Sequence, residues 1–364
     1  MSTIRLTLRR RQVALRTPSG LALFFGAGVA LLVLVIAVAT AAGSVGIPFG
    51  ETVRVLVDAL PVIELDQTWS DTQETILLEI RLPRVIAAAL VGAALSAAGV
   101  VFQGLFRNPL VDPFIIGASS GAAFAAVIGF LIVPQAGFIF YGFSWIPALA
   151  FGGSLTTVIV VYLLAQSGGR VAVMTLLLAG VAVSAFLTAI MSFIMLTQSD
   201  AQFRLAALLS WLLGGVGIVG WDQFIMLVPF VGAGLLIVRV FSYPLNAMAL
   251  GEERAAALGV PVEWTKVALI AASSLMTAAA VAAAGIVGFV GLVTPHVMRL
   301  MIGPDHRRLL WASALYGAVF VVLADLAART VMSPQEIPLG VITGIVGAPF
   351  FLLLLRQTKG RYAF

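Results

Sequence analysis

Few side chains in this sequence can do chemistry, and their types and spacing restrict what that chemistry is. Two histidines, His296 and His306, are too few for a histidine-rich metal centre, and no cysteine supplies a thiolate ligand or a disulfide. No HExxH and no acid pair lies within an apolar run, so the usual metal-dependent and carboxylate-dyad constellations are missing. Lys266 and Lys359 are the only lysines, and neither closes a GxxxxGK loop, so the chain has no P-loop for ATP. The charged groups that remain suit docking rather than catalysis. They are the pair Arg81 and Arg84 around Leu82-Pro83, the run Glu252-Glu253-Arg254 ahead of three alanines, and Asp325 with Arg329. The last two are four apart on one helical face, and an internal ion pair is a simpler account of them than a free buried acid. The expectation is therefore no catalytic residue, no cofactor and no metal.

These residues must be positioned by membrane helices. The 364 residues are 61% hydrophobic and 10% charged, and the mean hydropathy of +1.10 exceeds what a soluble core can hide. The net charge of +5 does not indicate nucleic acid as a partner, because the basic residues sit at the ends of apolar runs, where they orient a membrane protein. Residues 1–19 carry Arg5, Arg9, Arg10, Arg11 and Arg16 with no acid and are expected in the cytoplasm. The first apolar run, 20–42, ends in ATAAG like a signal-peptidase site. It is longer than the ~7–15 residues of a secretory core, so a retained first transmembrane helix is the preferred reading. Residues 43–83 hold seven acids (Glu51, Asp58, Glu64, Asp66, Asp71, Glu74 and Glu79) and belong outside.

Further spans read at about 84–104, 114–133, 145–165, 172–196, 224–241, 267–284, 286–301, 309–329 and 338–355. The tail 357–364 is basic and cytoplasmic, as is 303–308, and counting back from these makes the loop 242–266 cytoplasmic too. The ambiguous stretch 203–219 must then be a re-entrant or short external helix before span six. The predicted fold is an all-α integral membrane protein of about ten transmembrane helices, with one permease domain over 20–356. AAGVVFQGLF from Ala97 and AAGIVGFVGL from Ala283 hint at inverted-repeat-like halves.

Within the central loop, GEERAAALGVP reads as a short helix with acids in its first turn and a Gly-Val-Pro stop. Arg81 and Arg84 oppose the positive-inside trend at the outer start of span two and anchor either lipid headgroups or a partner. Asn108, Pro109, Asp112 and Pro113, followed by Gly117 and Gly121, break the inner turn before span three, as a packing feature first. Gly285, Gly288 and Gly291 lie in hydrocarbon with no preceding strand, so close helix packing outweighs a phosphate loop. His296 reads as a hydrogen-bonded structural residue. Ser184, Thr188 and Ser192 form a polar stripe on span five, and Gly340, Thr343, Gly344 and Gly347 a small-residue face on span ten. Either stripe suits helix packing or a pathway wall.

Together, RLPR, the NPLxxP turn, LLLAG, LGEERAAALG, GFVGLVTPHVMRL and IPLGVITGIVGAP resemble the iron-chelate, haem and vitamin B12 permease family of ABC importers, of type II architecture. The resemblance spans about residues 20 to 356, with a longer basic N-terminus and an acidic outer loop extended by roughly a dozen residues as departures. It implies a homodimer in a prokaryotic cytoplasmic membrane, with two ATP-binding subunits on the cytoplasmic side and a periplasmic or lipid-anchored substrate-binding protein outside. Gly251, Glu252, Ala255, Ala256, Leu258 and Gly259 would couple to the ATPase. Arg81, Arg84 and Arg329 would dock the binding protein. Ser184, Thr188, Ser192, Gly340, Thr343 and Gly347 would line the pathway, and GGRVAVMT before span five would correspond to the cytoplasmic gate. The competing class is an ion-coupled secondary transporter, which needs a buried carboxylate free to titrate.

Overall fold

The computed structural model describes residues 17–43, 45–60, 65–132, 145–197, 202–218 and 220–358. The arginines between Arg5 and Arg16, together with Glu64, Lys359 and the rest of the tail, lie outside the described residues.

Among the described residues the architecture is all-helical apart from one small hairpin. Helix α1, Pro18–Ala41, starts on a proline whose missing N–H would have had no helical partner, and Thr17 Oγ1 accepts from Gly20 N–H at 3.1 Å. The outer segment holds α2, Phe49–Asp58, and α3, Asp71–Thr75, the latter opened by a reciprocal Ser70/Gln73 capping box. A π-helical turn, Ile76–Arg81, joins α3 without interruption to α4, Leu82–Leu105. The predicted span from 84 is thus the inner part of one 35-residue helix over Asp71–Leu105.

After a turn and a 3₁₀ segment, Pro113–Ile116, come α5, Ala118–Ile132, and α6, Trp145–Ala165. Strands β1, Gln166–Ser167, and β2, Arg170–Val171, pair antiparallel around Gly168 and Gly169, whose φ angles of 58° and 76° suit the tight turn. Next are α7, Val173–Thr197, the short α8, Gln202–Leu212, and α9, Trp221–Met248. The remainder is α10, Glu252–Ala257, α11, Val262–Ala284, α12, Val290–Ile302, α13, His306–Thr330, and α14, Leu339–Thr358.

Seven of these helices are long and apolar enough to cross a membrane, and α5, α12 and α14 are shorter apolar helices, in the places of the ten predicted spans. Eleven residues in α8 rise only about 17 Å, against a ~30 Å hydrocarbon core, in keeping with a short helix before span six. The strand-like segment after α8 is fixed from both sides. Gly215 N–H donates to Ala284 O at 2.9 Å, while Leu339 N–H and Gly340 N–H donate to Gly214 O and Leu213 O at 2.8 and 3.0 Å.

Helix α4 is the axis of the fold, packed by α13, α11, α9 and α12. Two glycine contacts permit this. Gly92 lies against the Gly317 carbonyl of α13, and Gly99 lies against the backbone of Gly291 in α12, with no room for a Cβ at either. The two segments that resemble each other in sequence therefore touch, and Gln103 Nε2 donates to both Gly291 O and Leu292 O at 3.2 Å.

The polar connection is shorter than the predicted 242–266. Helix α9 runs to Met248 through Pro229 and Pro244, and α11 begins at Val262, because helix propensity around these prolines is outweighed by packing.

Candidate functional site

The charged residues gather at the two opposite ends of α4. At the Arg84 end, Arg81 and Arg329 are buried, with 7% and 8% of their surface exposed. Arg81 donates to Thr40 O, Ala41 O and Val45 O at 3.3, 2.7 and 2.6 Å, and Arg329 to Ala42 O and Ala39 O at 2.9 Å each. Both guanidinium groups therefore satisfy the carbonyls left unpaired at the C-terminus of α1. Asp325, 1% exposed, accepts from Arg329 Nε at 2.9 Å and from Arg84 Nη2 at 3.2 Å. The predicted internal pair is present, with Arg84 as a second cation. Arg84 alone of the three also faces outward, where Glu336 takes both its terminal nitrogens at 3.0 and 2.8 Å. That hydrogen bond holds the Glu336 carboxyl below the ordinary glutamate range.

At the opposite end, α10 is bracketed by Gly251 at φ 120° and Gly259 at φ 81°, backbone conformations that a side chain would strain. Val260 N–H returns to Ala255 O at 3.1 Å and Gly259 N–H to Ala256 O at 2.9 Å, which closes the helix in a Schellman-like turn. The Ala255 methyl group points inward and is fully buried, so of the residues expected to couple to an ATPase it does not reach the surface. Ala256 and Ala257 are exposed, flanked by Leu250, Leu258 and Trp264 at 61%, 69% and 65% exposure. A knob of small and apolar groups therefore protrudes from the polar end of the bundle, the kind of patch that marks a protein contact. Glu252 is tied back to Lys266 at 2.7 Å. Beside the knob, Asn246 accepts from His306 N–H and donates to Asp305, and so pins α9 to the start of α13.

The pathway residues divide. On α7, Thr188 and Ser192 are exposed and their hydroxyls bond to carbonyls of their own helix, at Ser184 O and Thr188 O. Ser184 is instead held by Ser120 at 3.0 Å, where the broken NPL turn packs against Gly180 of α7. On α14, Gly340, Thr343 and Gly347 face into the subunit. Gly340 meets the carbonyls of Leu213 and Ile286, Thr343 is fully buried, and Gly347 receives the Phe289 ring. Of the two readings left open for this stripe, the geometry supports packing. Gly344, Ile345 and Val346 lie on the more open side. His296 also departs from expectation, since its Nδ1 is buried without a hydrogen-bond partner and its ring packs edge-on to Phe350. No group of acids and histidines able to hold a metal occurs among the described residues.

Sequence reasoning missed Glu336 as the partner of Arg84 and Lys266 as the partner of Glu252. Neither pair is close in the chain, and no local pattern marks it.

Residues 31–357 match the FecCD transport family. The chain belongs to that family. It is 40% identical over 330 residues to the cobalamin import system permease protein BtuC of Halobacterium salinarum, covering 86% of each chain. It is also 40% identical over 306 residues to the hemin transport system permease protein HmuU of Yersinia pestis, covering 80% of this chain and 86% of that one. Among solved structures, a metal-chelate type ABC transporter in an inward-facing conformation superposes with a TM-score of 0.75 at 30% identity, over 92% of this FecCD-family chain and 99% of the other.

Proposed function

We propose that this chain is the membrane permease of an ATP-driven importer that moves a bulky chelate (an iron siderophore, haem or cobalamin) across a prokaryotic cytoplasmic membrane. ATP is hydrolysed by separate ABC subunits, consistent with the missing P-loop. The observation that carries the reading is the α10 knob, a short glycine-bracketed helix with exposed Ala256, Ala257 and Leu258, at the end of α4 opposite the arginine cluster. In this reading two copies form a homodimer with α7 exposed toward the pathway, the termini are cytoplasmic, and a substrate-binding protein docks at the arginine end. Arg84 is the docking group best supported, because Arg81 and Arg329 are occupied with the carbonyls of α1. The ion-coupled alternative is disfavoured by Asp325, which is engaged by two arginines rather than free to take up a cation.

The test is Ala256→Arg in the assembled transporter. A large cation on a small-residue contact must clash or be buried unpaired, at several kcal/mol. The variant should insert normally yet fail to couple ATP hydrolysis to uptake. Normal uptake with normal ATPase co-purification would overturn α10 as the docking element.

A further inference from the structure

Lys266 has no part in the reading above beyond its bond to Glu252, yet among the described residues it is the most completely enclosed cation at its end of the molecule. Its side chain is 3% exposed, and its ammonium group makes three hydrogen bonds to three separate elements. Nζ donates to Glu252 Oε2 of α10 at 2.7 Å, to Glu263 Oε1 in the first turn of α11 at 3.0 Å, and to Val171 O of β2 at 3.0 Å. Glu263 completes the joint from its other oxygen, which accepts Val171 N–H at 3.0 Å. Both backbone groups of Val171 are thus bound by the Lys266–Glu263 pair.

Val171 is the last residue of the hairpin and is separated from α7 only by Ala172, whose carbonyl already accepts from Leu176 N–H at 3.0 Å. A displacement of β2 is therefore a displacement of the first turn of α7, the helix that carries Ser184, Thr188 and Ser192. An ammonium group has only three protons to donate, and here all three are used. No donor is left to exchange for water if one partner shifts, so α10 and the hairpin move together or the joint breaks.

We infer that Lys266 is a positioning residue for transport. It transmits movement of the ATPase-docking helix α10 to the hairpin 166–171 and so to the entry of α7. The inference rests on the proposed docking of an ATPase at α10. Without Lys266, Glu252 and Glu263 face each other with no cation between them, Val171 O loses its donor, and α10 can move while the hairpin stays behind.

The cysteine-free chain permits a test in which the two steps are read separately. Single cysteines at Glu253 on α10 and at Ser167 in the hairpin are spin-labelled in the assembled transporter, and each spectrum is recorded before and after ATP with vanadate. With Lys266 present, both labels should respond. In Lys266→Met the label at 253 should still respond and the label at 167 should not, and uptake per ATP hydrolysed should fall by about tenfold, within the usual range for coupling between sites. Lys266→Arg, which keeps a buried cation, should recover part of the response at 167. Should Lys266→Met fail to insert, Glu252→Ala severs the α10 arm while Lys266 keeps its bonds to Glu263 and Val171 O, and it should silence label 167 in the same way while label 253 still responds. A response at 167 that survives in both variants overturns the inference. A label at 253 that never responds to ATP instead overturns the docking reading on which it rests.

Discussion

At the scale of single residues, the arginines show how one residue type performs two tasks a few ångströms apart. Arg81 sends three charge-assisted hydrogen bonds into the end of α1 and the turn just past it, while Arg84 bridges a buried and an exposed carboxylate. Arg81→Ala should therefore lower stability by about 2 kcal/mol, seen as earlier unfolding in detergent, because carbonyls that accepted from a cation must find water instead. A variant that unfolds like the parent but no longer binds its partner would return Arg81 to a docking role. The second expectation concerns pH. The carboxyl of Glu336 is held low by Arg84, so the bond is fully present above the ordinary glutamate range and is lost as pH falls through the lowered value. Protection from hydrogen exchange in the loop 331–338, taken relative to the intrinsic rate at each pH, should fall on acidification, and Glu336→Gln should remove that loss. The Asp325–Arg329 pair was legible in sequence because four residues make one helical turn. The Arg84–Asp325 bond joins residues 241 apart and could come only from the fold.

Among elements, legibility followed hydropathy. Each predicted apolar run became a helix, since an isolated backbone in hydrocarbon has to satisfy its own hydrogen bonds. Where polarity returned, the reading failed in one direction. The outer loop concealed α2 and α3, and the polar connection proved shorter than predicted, because amphipathic and capped segments are helical without being apolar. The small-residue faces were ambiguous for a physical reason: glycine lining a pathway and glycine admitting a neighbour look alike until the neighbour is seen. Gly92 and Gly317 admit each other. Gly317→Leu should cost about 3 kcal/mol or more by pushing α13 off α4, measured as loss of folded protein in detergent. Recovery of normal stability would mean that the two helices can separate without penalty.

For the whole molecule, 24 residues of α4 set the arginine cluster about 36 Å from the turn that precedes the α10 end of the bundle. That distance exceeds a hydrocarbon core of ~30 Å, so the function proposed above puts the two charged ends in different aqueous compartments. Cysteines placed singly at Ser70 and Ala256 should accordingly react with a membrane-impermeant reagent from opposite sides. Reaction of both from the same side would remove the placement of α10 in the cytoplasm.

The attachment of α1 also constrains how the chain is built. Its companion is α13: Gly28 lies against Leu315 and Tyr316, the Tyr316 hydroxyl donates to Phe24 O at 3.2 Å, and Arg329 closes on Ala39 and Ala42. The first described helix is thus secured by the last but one. Through most of synthesis α1 must wait in lipid without α13, held by its hydropathy and by the Arg81 bonds to its C-terminal carbonyls. Only when α13 enters the bilayer can the bundle close, so a polypeptide that ends before Arg329 leaves α1 held by Arg81 without its main companion.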